Sequence, residues 1–203
     1  MQITIGTPHS GYFAVEYVTS LTATLVRGEF SYEVLQYESC YVHSNRNMIM
    51  RDARGDYLLF IDSDMCWNPN DISRLVKSGK DVIAGLYYKR RFPYGPVVYG
   101  HDGLTFKQAT NIPERLFRCD GVGTGFLMLS RWVIDKFKDP ELVADWGYAF
   151  DPLKSLNSGD GASFFNGEDL SWCLKARHLK MELWCDPETL VGHVGTQVIK
   201  GPL

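Results

Sequence analysis

Apolar and β-branched residues alternate with polar ones in "QITIGTP" and stop at Gly-Thr-Pro, which predicts a short first strand. The rhythm then changes. In "SGYFAVEYVTSLTATLVRG" the apolar residues 13, 14, 17, 18, 21 and 25 follow a helical spacing closed by Gly28. "SYEVLQYES" reads as a second strand, and "SNRNMIMRDARGD" as a helix opened by a capping Ser or Asn and ended at Gly55. "YLLFID" is a near-continuous apolar run, the pattern of a strand buried on both faces in a parallel sheet. "NPNDISRLVKSG" has Asn and Asp caps with Pro near its start, and "DVIAGLYYK" is a fourth strand. Strand and helix alternate through residue 90, which argues for an α/β sheet with right-handed crossovers.

The second half is less regular. Residues 92–120, rich in Pro, Gly and Tyr, predict loops or a small hairpin. "GVGTGFLMLSRWVIDKF" predicts a Gly-rich turn, a strand and a helix, and "GEDLSWCLKARHLK" a capped helix. "MELWCDP" predicts a strand, and "TLVGHVGTQVIKGPL" a tail or final strand. The expected fold class is a single α/β domain over 1–203, Rossmann-like. Its mostly parallel central sheet is flanked by helices, with a small antiparallel addition in the second half. The regular half covers residues 1–90 and the irregular half residues 91–203.

Composition narrows the function. The chain has 203 residues, 45% of them hydrophobic, enough for one large core. A net charge of -3 gives no bulk basic surface for nucleic acid. Five cysteines without a C-x-x-C pair argue against a disulfide framework or a zinc site and for a reducing, cytoplasmic setting. The start of the chain does not read as a signal peptide, and no apolar run approaches the ~20 residues that span a bilayer.

The chemistry gathers at strand ends, where ligands of open α/β sheets bind. Asp62 and Asp64 directly follow the central apolar strand, and in extended backbone residues i and i+2 point the same way. Two such carboxylates repel each other unless a cation sits beside them, and oxygen ligands of this kind suit Mg²⁺ or Mn²⁺. With 15 Asp in the chain, about one D-x-D arises by chance, so position rather than pattern favours a site. Glu168 and Asp169 open a helix, where free N–H groups favour carboxylates; an ordinary acidic first turn and a general base both fit. His193, between glycines in "VGHVG", reads as a surface residue or a metal ligand.

The order "IGTP", "SNRN", "YLLFIDSDM", "DVIAGLYYKRR", "GVGTGFLMLSR", "GEDLSWCLKAR" and "VGHVG" resembles the family 2 type of inverting glycosyltransferase with the GT-A fold, above all its short, soluble members from bacteria and phages. The resemblance covers nearly the whole chain. It implies that Asp62 and Asp64 form a D-x-D motif holding Mn²⁺ or Mg²⁺ and the donor, with Asp64 on the metal, Asp62 nearer the ribose and Ser63 between them on the donor side. It implies a further metal ligand in His193 and a catalytic base in Asp169, with Glu168 able to share that task. It places Thr7, Pro8 and Arg46 near the nucleotide, and Gly123, Thr124 and Gly125 near the donor sugar and acceptor. One departure concerns the second strand, where Glu38 and Ser39 stand in place of the usual acidic pair, so uracil specificity does not follow directly.

The implied reaction moves a sugar from a nucleotide-diphosphate sugar, UDP-linked by preference, to an acceptor hydroxyl. The acceptor stays open between a glycan, a protein and a modified DNA base of the phage type, the last placing the enzyme in the host cytoplasm. A nucleotidyltransferase would want a basic loop after the first strand, and "GTPHSG" has no Lys or Arg. A non-catalytic carbohydrate-binding module would use the aromatics Tyr87, Tyr88, Phe92, Tyr94, Trp132, Trp146, Tyr148 and Trp172, most of which read equally as packing. "YYKRRFPYG", residues 87–95, could hold a diphosphate, reach nucleic-acid phosphates or be a solvated loop.

Overall fold

The computed structural model describes residues 1–90, 92–155 and 164–195. Strand β1 (Gln2–His9) leads through α1 (Val15–Arg27) to β2 (Ser31–Glu38), and α2 (Val42–Asp52) leads to β3 (Tyr57–Ile61). The two-residue β4 (Met65–Cys66) and α3 (Pro69–Lys77) precede β5 (Val82–Leu86). Then follow β6 (Val98–His101), β7 (Phe106–Gln108), β8 (Phe117–Cys119), β9 (Gly121–Val122) and β10 (Phe126–Ser130). Helices α4 (Arg131–Lys136) and α5 (Pro140–Trp146) come next, with β11 (Lys154–Ser155) and β12 (Phe164–Phe165). The described chain closes with α6 (Glu168–His178), β13 (Leu183–Leu190) and β14 (Gly192–His193).

Seven strands form the central sheet in the order β2-β1-β3-β10-β5-β13-β8. Strands β1, β2 and β3 pair in parallel, as do β5 and β13, while β10 runs antiparallel between β3 and β5 and β8 runs antiparallel to β13 on the edge. The smaller β6-β7-β9 sheet is the hairpin addition expected over 92–120. Alternation along β3 sends Leu58 and Phe60 to one face and Leu59 and Ile61 to the other, and each face has its own core. The first includes Ile49, Leu127, Phe150 and Trp172; the second includes Tyr17, Ile72, Ile83 and Phe126. Among the described residues no helix is long and apolar enough to cross a membrane, and all five cysteines are free.

Two local expectations need correction. The buried face of α1 is Tyr17, Ser20 and Thr24, while Val18 and Leu25 are 50% and 41% exposed. The polar pair tolerates burial because Trp67 satisfies it: its indole N–H donates to Thr24 Oγ1 (3.0 Å) and its backbone N–H to Ser20 Oγ (3.1 Å). Helix α2 starts at Val42 with Tyr41 in the cap position, not at Ser44 or Asn45, and has no side-chain cap. Asn45 lies within the helix and donates to the carbonyls of His9 (3.1 Å) and Ser39 (3.3 Å), tying the ends of β1 and β2 together. The expected final strand is the two-residue β14; residues 196–203 of that stretch lie outside the described residues.

Candidate functional site

The parallel strands β1, β3, β5 and β13 end on one rim of the sheet, and antiparallel β10 begins there. That reversal puts the turn Gly123-Thr124-Gly125 beside the carboxylates after β3, and the Asp62 N–H donates to the Gly125 carbonyl (3.0 Å). The glycines are required by close approach. A Cβ on Gly123 would lie 2.5 Å from Val97 Cγ1 and closer still to Tyr87 Oη; one on Gly125 would lie 3.0 Å from both Tyr87 Oη and Asp62 Oδ2. The buried Tyr87 hydroxyl accepts from the Gly125 N–H (3.1 Å), and burial, with Asp169 and Asp62 nearby, pushes its pKa well up. Gly123→Ala is expected to cost about 1–3 kcal/mol by overpacking, read as a lowered denaturant midpoint at unchanged m-value.

At the centre sits Arg46, buried to 2% exposure by α2. Its guanidinium reaches Asp62 Oδ1 through Nη1 (3.0 Å) and Nη2 (2.9 Å), with Asp169 Oδ1 at 3.9 Å and Glu168 Oε1 at 4.0 Å. Burial works against its charge, but the three carboxylates outweigh it and raise its pKa further. Phe60 lies 5.9 Å from the guanidinium carbon.

Asp169 belongs to the first turn of α6, where the macrodipole favours a carboxylate. Thr124 donates its hydroxyl to Asp169 Oδ1. Although 29% of the Asp169 side chain reaches the cavity, protein surrounds the carboxyl elsewhere. That burial pushes its pKa up to about 6; Arg46 and the Thr124 hydrogen bond pull down, and the charges of Glu168 and Asp62 push up. The segment between α5 and α6 fixes the two helices. Asn47 of α2 donates to Asp151 (2.8 Å) and accepts from the Phe150 N–H (2.9 Å). Lys175 of α6 donates to the carbonyls of Tyr148 (2.6 Å) and Asp151 (3.0 Å).

Asp64 and His193 meet where β14 pairs with β4. There the Val194 N–H donates to the Asp64 carbonyl (2.8 Å). His193 Nδ1 lies 2.9 Å from the Tyr88 carbonyl, an acceptor only, so Nδ1 carries a proton and Nε2 faces Asp64 Oδ2 at 3.5 Å. Arg90 also bonds Asp64 Oδ2. Burial alone would raise the Asp64 pKa; His193 and Arg90 outweigh it and hold it below the usual range. Burial would lower the His193 pKa, and Asp64 with the Tyr88 carbonyl reverses that.

The residues of interest divide between two cavities joined at Asp62. One of about 400 Å³ is lined by Asp62, Tyr87, Phe92, Asp169 and His193 among others. One of about 280 Å³ is lined by Pro8, Ser39, Asn45, Asp62, Ser63, Asp64 and others. Gly123, Thr124 and Gly125 are buried and line neither cavity; the two glycines pack behind Tyr87, Val97 and Asp62, which line the larger one. Two expected donor contacts lie elsewhere: the Thr7 side chain is buried on Tyr17 Oη (2.5 Å), and Glu38 is exposed beside Gly11, with Ser39 the residue that lines the cavity. For a metal, Asp64 and His193 converge, whereas Asp62 is turned to Arg46; among the described residues no group of three or more His, Cys, Asp or Glu side chains converges on one point. A carboxylate and an imidazole whose other nitrogen is fixed by a carbonyl still fit Mn²⁺ or Mg²⁺, provided the substrate supplies further oxygens. From sequence, Asn45 and Arg90 do not stand out as site residues, and Tyr87 does so only as an aromatic that could stack on sugar. Arg90 leaves a signal there only as part of the basic run 87–95.

This geometry agrees with the comparisons. A search of curated protein sequences finds no match. Among solved structures, "Crystal Structure of A197 from STIV" matches with a TM-score of 0.56 and 18% identity over 100% of this chain and 99% of that one. "Crystal structure of GalNAc-T7 with UDP, GalNAc and Mn2+" matches with a TM-score of 0.62 and 12% identity, over 97% of this chain but 43% of that one. At these identities the likeness concerns the fold, which is GT-A. Residues 29–137, just over half of the chain and including β3, Asp62, Asp64 and the Gly123–Gly125 turn, match the family model described as "Glycosyl transferase family 2", and the chain belongs to that family.

Proposed function

We propose that this glycosyltransferase is metal-dependent and inverting, and that it moves a sugar from a nucleotide-diphosphate sugar, UDP-linked by preference, to an acceptor hydroxyl. The observation that carries the reading is a pair of carboxylate stations in two adjoining cavities that share Asp62: Asp64 in one, held by His193, and Asp169 in the other. An inverting transfer needs this separation. The leaving group departs on one face of the anomeric carbon while the acceptor oxygen arrives on the other.

Asp64 and His193 would hold the cation, which when bound supplies positive charge to neutralise the diphosphate leaving group. Pro8, Ser39 and Asn45 line the cavity that takes the nucleotide, and Ser63 lies at its mouth beside the diphosphate. Gly123 and Gly125 act one layer behind the donor sugar: without side chains they let Tyr87, Val97 and Asp62, which line the cavity, pack directly on the turn. Asp169 takes the acceptor proton as the new bond forms. Thr124 and Arg46 both address its Oδ1, which assigns that proton to Oδ2. Glu168, one residue earlier on the same turn, adds negative charge that keeps Arg46 in place.

The test is a thermal-shift screen of nucleotide sugars with and without Mn²⁺, followed by calorimetry on UDP. UDP is expected to bind only weakly without a divalent cation, because its diphosphate and Asp64 repel each other. Asp64→Ala is expected to abolish the metal-dependent part of that affinity while the melting temperature stays within a few degrees of wild type. Equal UDP affinity in EDTA and in Mn²⁺ would contradict the metal assignment.

A further inference from the structure

We propose that Arg90 stands in for the divalent cation on Asp64 while the donor is absent, and moves to the donor diphosphate when the cation arrives. The proposal rests on the donor and metal reading above.

Three observations carry it. First, Arg90 Nη1 and His193 Nε2 converge on the same atom, Asp64 Oδ2, the oxygen that a cation held by Asp64 and His193 would use. A guanidinium and a dication cannot share it, since like charges at such separations repel strongly in a partly buried site. Second, Arg90 has somewhere to go. It lines the cavity with Pro8, Ser39 and Asn45, the cavity with Asp169 and Phe92, and a third of about 600 Å³ beside Leu190–His193. Third, it has the means to move. The Lys89 N–H donates to the Gly95 carbonyl (2.9 Å), the Val97 N–H to the Tyr87 carbonyl (2.9 Å), and Tyr88 bridges Pro96. The base of this hairpin is therefore pinned to the rim, and Arg90 lies just beyond it with a side chain 47% exposed.

The exchange balances charge at each stage. Without donor, His193 alone would offset the Asp64 charge, and only when protonated; Arg90 supplies a permanent partner, as Arg46 does for Asp62. With the cation on Asp64 and His193, Arg90 is repelled, and a diphosphate beside the cation is the anion within its reach. Guanidinium forks bind phosphate oxygens by two parallel hydrogen bonds, a geometry Lys does not reproduce.

The experiment uses the full chain. Mn²⁺ affinity is measured by electron paramagnetic resonance without nucleotide, and UDP affinity by calorimetry in saturating Mn²⁺, for wild type, Arg90→Gln, Arg90→Lys and Lys89→Gln. Arg90→Gln is expected to bind Mn²⁺ alone about fivefold more tightly, because it removes a competitor of surface ion-pair strength. The same variant is expected to bind UDP about tenfold more weakly, because a charge-assisted phosphate contact is lost. Arg90→Lys keeps the competing charge and is expected to bind Mn²⁺ close to wild type, which holds the test open should Arg90→Gln fold poorly. Lys89→Gln removes a neighbouring charge that bonds Gln108 (3.1 Å) rather than Asp64, and is expected to leave Mn²⁺ affinity within about twofold of wild type. Unchanged or weaker Mn²⁺ binding in Arg90→Gln, an equal gain in Lys89→Gln, or unchanged UDP binding in Arg90→Gln would each overturn the exchange. Wild type that binds neither Mn²⁺ nor UDP would instead overturn the functional reading, and this inference with it.

Discussion

Asp169→Asn is expected to bind metal and donor like wild type and to transfer sugar at least ~100-fold more slowly, the scale of a lost general base. The substitution keeps size and the hydrogen bond from Thr124 but removes the proton acceptor. Turnover is read with the natural acceptor or with water in its place. The pH profile gives a second signature. A carboxylate raised to about 6 by burial is protonated below that value, so wild-type kcat/KM should fall about tenfold per pH unit under pH 6 and level off above it. Asp169→Asn should lack that acid limb. Near-normal turnover in the variant, or a product with the donor's anomeric configuration retained, would mean that the base or the inversion is wrongly assigned.

Arg46→Met is expected to be the most destabilising single change in the site. It leaves Asp62, Asp169 and Glu168 facing one another around a buried apolar side chain. Removing one partner of a buried ionic group costs about 3–5 kcal/mol. The sign of its pH dependence follows from linkage. Burial already holds the folded Asp169 carboxyl at about 6, and without Arg46 it rises further above the unfolded carboxylate range, so the folded state binds more protons and its stability falls as pH rises. The deficit should therefore be largest at pH 7 and shrink as pH approaches 4. In whatever activity remains, the acid limb should move above pH 6, because Arg46 is the main charge holding the Asp169 pKa down. Urea melts at pH 4.5 and 7 measure the first effect, and a pH–rate profile the second. A variant as stable as wild type at pH 7 with an unmoved limb would show that Arg46 is not the electrostatic centre of the site.

Much of the first half was legible because its signals are local. "YLLFID" is apolar without interruption because both faces of β3 are covered, and "NPND" carries a full capping box, with Asn68 accepting from the Asn70 N–H and Asp71 from the Asn68 N–H. The helix opening at Glu168 was legible for the same reason. What pattern could not supply was direction and partnership. "FLMLS" reads as a strand, but nothing within five residues says that it runs antiparallel between two parallel neighbours. The α1 stripe misled because burial went to Ser20 and Thr24, whose hydroxyls are satisfied by a tryptophan more than forty residues away. Arg46 was noticed through a motif, yet its role as shared partner of three carboxylates depends on two segments over a hundred residues apart. Thr7 shows the converse: a residue in the right loop whose side chain turns inward to Tyr17.

The reversed strand β10 also governs how the chain can be divided. Strands β3 and β5 never pair with each other; each gives one edge to residues 126–130, made well after both. A polypeptide cut near residue 90 would therefore carry the three-stranded β2-β1-β3 sheet with a bare apolar edge and a lone β5 without a partner on either side, a composition prone to edge-to-edge association. The donor-side residues and the catalytic side are thus one folding unit. During synthesis the central sheet cannot close until β10 has emerged, and its pairings span long stretches of sequence, the topology associated with slower folding. Insertions are accordingly expected to be tolerated best in excursions such as the β6-β7 hairpin, which leave the β3-β10-β5 seam intact.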